Sequence, residues 1–307
     1  MRLYPLRIVG DNTKIPFTKI SGISFAISTM LTILSIICVL IYGLNFGIDF
    51  TGGILIEAKS AEKVDIAAIR KSLGDLQVGE VSIQSLGNEN DFFVKAALVE
   101  GASDSASFIE KIKAKINSVT NNSTSYQKID FVGPQVGSQL IYSGAQAVIL
   151  CFLGIMIYVA IRFEWQFGVG VLIALIHDVI LSVGFMSITQ LDFSLSSIAS
   201  LLTIVGYSVN DSVVIYDRIR ENLRKYTKKS INEIIDISTN ETLSRTTMTV
   251  LTTLIANLAL IIWVGQELRS FSILVFFGII AGTYSSIFIS APILKVFGLH
   301  NLTKKNL

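Results

Sequence analysis

The 307 residues are 51% hydrophobic and only 16% charged, where an average soluble domain carries roughly a quarter charged residues. That balance excludes an ordinary soluble enzyme and indicates a membrane protein, and the net charge of +2 gives no ground for nucleic-acid binding. Cys38 and Cys151 both lie inside apolar runs, and His177 and His300 are too few and too scattered for a zinc cluster, so no disulfide and no metal site is expected.

In chain order, residues 1–22 form a polar leader with Arg2, Arg7, Lys14 and Lys19. The apolar run 23–43 is long enough for one bilayer crossing, which takes about 20 residues. It ends in "YGLNFG" rather than a small-residue cleavage site, so an uncleaved first span is expected.

Residues 45–138 are polar and patterned for a separate domain. "GGILIEAKS" alternates like a strand, with Ile54, Ile56 and Ala58 on one face. "VDIAAIRKSLGDL" has apolar residues at 64, 66, 69 and 73, a helical spacing. "EVSIQSLG" and "DFFVKAAL" read as two strands about a "NEND" turn. "SDSASFIEKIKAKIN" reads as a second helix capped by Ser103 or Asp104, and "TSYQKIDFVG" as a fourth strand. The order βαββαβ predicts a ferredoxin-like α+β domain. It holds no catalytic constellation, so a binding or lever module is expected rather than an enzyme. At its entry, "DFTGG" places Gly52 and Gly53 at a sharp turn, with Asp49 as a turn or cap residue. At its exit, "FVGPQVG" (131–137) predicts an elbow stiffened by Pro134.

Five further spans are predicted at 144–161, 168–189, 195–216, 246–264 and 271–294, with an amphipathic linker helix over 217–245 and a tail over 295–307. Lys and Arg in the short connections set the orientation. They cluster in the leader, at Arg162, at Arg218, Arg220, Arg224, Lys225, Lys228 and Lys229, and in the tail, whereas "QLDFSL" has none and "GQELRS" has Arg269 alone. Both termini are therefore expected in the cytoplasm and residues 45–138 outside. The helix after Asp217, with Ile219 and Leu223 on one side, reads as a solvated interfacial helix.

Polar residues inside the spans are the candidate site. In span four, Ser197, Ser200, Thr203, Tyr207, Ser208, Asn210 and Asp211 share about half of the helix. They need protein or water beside them, because lipid offers no hydrogen-bond partner. Asp211 lies six residues before Asp217, about 9 Å along the helix, too deep for a short side chain to reach water. A charge there costs on the order of 3 kcal/mol, so the carboxyl group is suited to hold and release a proton. Arg245 at the start of span five is a candidate counter-charge at a matching depth, followed by Thr249, Thr252, Thr253 and Asn257 on a polar stripe. His177 and Asp178 fall near the middle of span three and are candidates for the same relay; adjacent helical residues point about 100° apart, so one of the two is expected to face it. Gly278, Gly282 and Ser286 make a small-residue face on span six for close helix packing.

Five blocks resemble those of the SecD/SecF family. They are "FGIDFTGG" (46–53) after span one, "GYSVNDSVVIYDRIREN" (206–222, beginning at Gly206), "IRFEW" (161–165), "LIHDVILS" (175–182) and "LSRTTMTVLTTL" (243–254). The resemblance covers nearly the whole chain. It implies half of an RND-like transporter, a six-helix membrane unit with an inserted periplasmic domain, in the inner membrane of a bacterium. It further implies a protein-export subunit that pairs as a heterodimer with a SecD-type protein beside the SecYEG channel, in the company of YajC and YidC. Such a subunit handles unfolded secretory polypeptide in a lipid bilayer and uses the proton as coupling ion, with no other cofactor. Two other readings compete. An RND exporter of lipids or small molecules is disfavoured by the single six-span half and its ninety-residue domain. An intramembrane aspartyl protease acting through Asp178 and Asp211 is disfavoured because the Gly-x-Gly-Asp block is absent, the sequence here being Val-Asn-Asp.

Overall fold

The computed structural model describes residues 10, 13–61, 63–74, 81–86, 88–97, 105–263 and 266–297. The chain forms two compact units, one of residues 46–146 with 193–195, the other of 1–45, 147–192 and 196–307.

The smaller unit opens with the short helix α2 (Ile48–Thr51), which follows α1 (Phe17–Tyr42) of the larger unit. Next come β1 (Gly53–Ser60), α3 (Ile66–Gly74), β2 (Val81–Leu86), β3 (Asn88–Ala96), α4 (Ser105–Val119) and β4 (Thr124–Val132). The four strands form one antiparallel sheet in the order β2-β3-β1-β4. Alternation fixes which face is buried: Ile54, Ile56 and Ala58 of β1 pack with Phe92 and Val94 of β3 beneath Ile69, Leu73, Ile112 and Ile116 of the two helices. Asp65 caps α3, its carboxylate accepting from the backbone N–H groups of Ala67 (2.9 Å) and Ala68 (3.2 Å). The predicted "NEND" turn (88–91) instead lies within β3, with Asn88 paired to Leu86 of β2; strand pairing overrides the turn preference of Asn and Asp. The caps expected at Ser103 and Asp104 lie outside the described residues.

The larger unit is helical. After β4, α5 (Pro134–Arg162) begins at once, its residues 134–146 belonging to the smaller unit and the rest to the larger, so the predicted elbow shrinks to Gly133 with Pro134 as the first helical residue. Then follow α6 (Trp165–Thr189), α7 (Leu195–Lys225), α8 (Ile231–Trp263) and α9 (Gln266–Ser285), which runs on through a π-helical turn (Ser286–Ser290) into α10 (Ala291–Ile293). Among the described residues, six helices are long and apolar enough to cross a membrane.

α6, α7 and α9 carry most of the buried residues, while α5 exposes Ile149, Leu150, Ile157, Tyr158 and Ile161. The predicted linker helix over 217–245 is replaced by the ends of two long helices. α7 runs unbroken to Lys225, the chain turns, and α8 starts at Ile231. Nor is that end of α7 a solvated interfacial helix. Ile219 and Asn222 are fully buried, Ile219 in a cluster with Ile234 and Ile235 of α8. Arg218 donates to Glu241 (2.7 Å), and Asn222 to Ser238 (3.0 Å) and Glu241 (2.6 Å). The apolar stripe that suggested a membrane-surface helix is a helix–helix interface.

Candidate functional site

Helix phase divides the polar residues of α7 in two. Ser197, Ser200, Ser208 and Asp211 recur at helical spacing on the buried stripe that also holds Ile204 and Ile215; Thr203 and Asn210 lie on an exposed stripe and Tyr207 between them. The single polar face expected from sequence is thus an inward row of hydroxyls and one carboxylate, with an outward row beside it.

Asp211 is 6% exposed. One carboxylate oxygen accepts from the Thr246 hydroxyl of α8 at 2.5 Å, and the other accepts from the Ser286 hydroxyl of the π-helical turn. Arg245 is not its hydrogen-bonding partner. Adjacent residues of a helix point about 100° apart, and when Thr246 faces Asp211 the Arg245 side chain falls on the exposed side of α8. It makes no ion pair with Asp211 among the described residues. Asn210 likewise points outward. Thr249, Thr252 and Thr253 donate to carbonyls of their own helix, one turn back. The Tyr207 hydroxyl is buried with no hydrogen-bond partner among the described residues.

Asp178 of α6 is fully buried. One of its oxygens accepts from Ser208 of α7 and from Ser285 of α9, both at 2.7 Å, and the other lies 3.1 Å from His177 Nδ1. Sequence spacing allowed only one of His177 and Asp178 to face the polar row. Asp178 does so, and His177 turns toward α9, where its ring lies 6.4 Å from that of Tyr284. His177 Nε2 is buried with no hydrogen-bond partner among the described residues.

Small residues bring α9 close enough for these contacts. A Cβ at Gly278 would sit 2.2 Å from the Ile204 side chain, and one at Gly282 3.1 Å from Ser208 Cβ and 3.5 Å from an Asp178 oxygen. Close approach at 278 and 282 sets Ser285 against Asp178 and Ser286 against Asp211. Gly206 faces open space. In the smaller unit, Gly52 (φ 70°) and Gly53 (φ 140°) take the left-handed backbone that a side chain disfavours, and a Cβ at Gly53 would meet the Ala96 carbonyl at 2.6 Å. Asp49 accepts from the backbone N–H of Leu195 at 2.9 Å and so acts as a cap.

Thr246, Ser285 and Ser286 touch the two acids, and none was singled out from sequence as a partner of either. Their signal was faint: hydroxyl residues in apolar helices commonly bond their own backbone. Among the described residues no group of His, Cys, Asp and Glu is arranged to hold a metal ion.

Among the described residues, six helices long and apolar enough to cross a membrane hold a buried pair of acids, and a small α+β unit with a four-stranded antiparallel sheet is inserted between the first two of them. Residues 39–64 match the SecD/SecF GG motif, and residues 111–300 match the C-terminal region of the protein export membrane proteins SecD and SecF. The chain belongs to the SecD/SecF family. It is 56% identical to the protein translocase subunit SecF of Rickettsia felis and 55% identical to that of Rickettsia akari, each alignment covering 99% of both chains. It is similar to the crystal structure of SecDF, a translocon-associated membrane protein from Thermus thermophilus, with a TM-score of 0.83 and 33% identity over 95% of this chain. A second SecDF structure, in the super-membrane-facing form, matches with a TM-score of 0.72 and 32% identity over 99% of this chain. The chain spans 40% and 41% of the length of those two structures.

Proposed function

We propose that this chain is an accessory subunit of the protein translocase in the bacterial inner membrane, not an enzyme, and that it couples proton flow to late steps of export through a SecYEG channel. The observation that carries the coupling is Asp211, a carboxyl group buried mid-helix and held by two hydroxyls, with no cation bonded to it among the described residues. Such a group is stable neutral and becomes stable ionised when water or a cation reaches it. Arg245, beside Thr246 on the exposed side of α8, is the cation at hand; a rotation of α8 exchanges one partner for the other. His177, Asp178 and Ser208 extend the buried network from Asp211, with Thr249, Thr252 and Thr253 as the outward polar path. The proton is the only coupling ion invoked and no cofactor is needed.

The partner is a SecD-type chain. The relatives are named translocase subunits, and the SecDF structures carry well over half of their length outside the matched part. Asn210, Arg245 and Thr249 face outward within spans that otherwise offer lipid apolar side chains, and the partner's helices cover them. YajC, YidC, bilayer lipid and the unfolded precursor complete the surroundings. Residues 45–138 form a periplasmic ferredoxin-like domain, a reading supported by the order β2-β3-β1-β4, and both termini are cytoplasmic. The test is export of a secretory precursor into inverted membrane vesicles with and without a proton gradient. Asp211→Asn should remove the gradient-stimulated part and leave the rest; full stimulation in that variant would sink the proposal.

A further inference from the structure

Ser285 and Ser286 each have two acceptors within reach. The Ser285 hydroxyl lies 2.7 Å from Asp178 Oδ2 and 3.0 Å from the Gly282 carbonyl. The Ser286 hydroxyl lies against Asp211 Oδ2 and 3.0 Å from the Thr283 carbonyl. A hydroxyl has one hydrogen and two acceptor lone pairs, so it serves one acceptor at a time. Beside an ionised acid the hydrogen belongs on the carboxylate, because charge-assisted bonds are roughly twice as strong as neutral ones. Beside a protonated acid the roles reverse. The carboxyl O–H donates to the serine oxygen, and the serine hydrogen turns to the carbonyl one turn back. Every group stays satisfied in both states, no heavy atom moves, and the serine O–H bond never breaks. Thr246 and Ser208 differ, since the only contact described for each hydroxyl is with the acid.

Asp178 has the same design as Asp211, and its neighbours leave its charge unbalanced. A doubly protonated His177 would bury an N–H at Nε2, which has no partner among the described residues, at the cost of an unmade hydrogen bond. His177 Nδ1 lies 3.1 Å from the other Asp178 oxygen. Among the described residues, the other ionisable groups near the two acids are Tyr284 beside His177, and Tyr207 and Arg245 toward Asp211. None of them bonds to Asp178.

We propose that Asp178 is a second proton-holding site, that Asp178 and Asp211 exchange their protons with water that reaches them, and that Ser285 and Ser286 are the hydrogen-bond partners that reverse as each acid gains or loses its proton. This rests on Asp211 being the proton carrier. The two serines are consecutive at the start of a π-helical turn, so both acids bond to one turn of backbone. Turns of this kind recur at functional positions in helices.

Infrared difference spectra across a pH titration test this on the full chain, purified with its partner subunit and reconstituted in lipid. The carboxyl C=O stretch reports each protonated acid directly. Two titrating bands are expected, one lost in Asp178→Asn and the other in Asp211→Asn. Ser285→Ala should shift the first band and Ser286→Ala the second, while Ser→Thr at either position should leave its band in place. Should an alanine variant fail to accumulate, Ser→Cys at the same position should give the same shift, because a thiol is a weaker partner. If Asp211→Asn removes a band and Asp178→Asn removes none, the second site is refuted while the proposed function stands. If Asp211→Asn removes none, the proposed function itself fails. Bands unmoved by every serine variant would overturn the role of Ser285 and Ser286.

Discussion

Ser285 and Ser286 are neighbours in the chain, yet their hydroxyls bond carboxylates on different helices, Asp178 of α6 and Asp211 of α7. The roughly 100° between consecutive helical residues makes this possible where a third helix runs in the groove between two others. It also ties the two acids to one turn of backbone. A change at either is felt by a segment that leads directly into the π-helical turn, where Ser290 donates to Tyr216 at 2.6 Å.

Replacement of the acid separates packing from proton transfer. Asp211→Asn keeps the size of the side chain and can still accept from Thr246 and Ser286. It should preserve expression and partner binding while reducing export with a gradient to the level seen without one. Arg245→Met should give the same loss with a smaller effect on thermal stability, since Arg245 lies on the exposed side of α8. Asp211→Glu should keep partial function, because the carboxyl chemistry remains and only its reach changes. Export assays on inverted vesicles with matched protein levels read all three.

The contact between α7 and α9 is tight enough to be tested by volume. A side chain at Gly278 meets Ile204 at its first carbon. Gly278→Val should destabilise by about 1–3 kcal/mol, the usual cost of overpacking, and should draw Ser285 and Ser286 away from their acids. Adding Ile204→Ala should recover part of the loss. Thermal unfolding of the purified single and double variants measures this, and an equally unstable double variant would place the strain elsewhere.

Much of this was legible in the sequence, for reasons that differ by element. "GILIEAKS" shows the buried face of β1 because a period of two leaves no choice of side. The apolar runs show the spans because a bilayer sets their length. Asp211 is conspicuous because a carboxylate inside an apolar run must be kept neutral or find a partner, whether it carries a proton or only joins helices. Its partners were hidden. Arg245 has the right depth, but the phase of α8 against α7 decides between residues 245 and 246, and that phase is set by packing across the whole helix pair. Ser285 and Ser286 lie 107 and 75 residues from their acids, and nothing local separates them from serines that only bond their own backbone. The end of α7 was misread because an amphipathic stripe looks the same whether it meets a membrane surface or the start of α8.

The turn into α8 offers a pH test away from the membrane spans. Ser230 donates to Glu233 through its backbone N–H (2.8 Å) and its hydroxyl (3.0 Å), and the Glu233 N–H returns a bond to the Ser230 hydroxyl, a reciprocal cap. These bonds, the backbone one first, hold the Glu233 carboxyl below the ordinary glutamate range. A carboxyl lowered by folding contributes stability above its unfolded pKa and loses it as pH falls through the folded one. Amide exchange over residues 230–235, corrected for intrinsic rates, should therefore rise on acidification below the ordinary glutamate range. Glu233→Gln should abolish that dependence; an unchanged profile would contradict the assignment.

Orientation is tested by labelling. With Cys38 and Cys151 replaced by serine, single cysteines at Asn90 and Thr227 should react with impermeant reagents from opposite sides of the membrane. Asn90 lies in β3 of the smaller unit and Thr227 in the turn between α7 and α8. Labelling of both from one side would contradict the proposed topology.

The outward polar row decides what covers this chain. Asn210 and Arg245 are exposed and Thr249 lies beside them on α8, all within helices apolar enough to cross a membrane. Lipid offers such groups no hydrogen-bond partner, and an uncovered arginine at that depth would cost several kcal/mol. A second protein surface removes that cost if it brings acceptors. A photo-crosslinking residue at Asn210 or Thr249, introduced in native membranes, should therefore capture the SecD-type subunit as its main product. The same probe at Ile157 or Ile161 on the exposed apolar face of α5 should capture mostly lipid and serves as the reference. Lipid adducts alone from Asn210 and Thr249 would mean that the polar row meets bilayer or water, and that the pairing drawn from it is wrong.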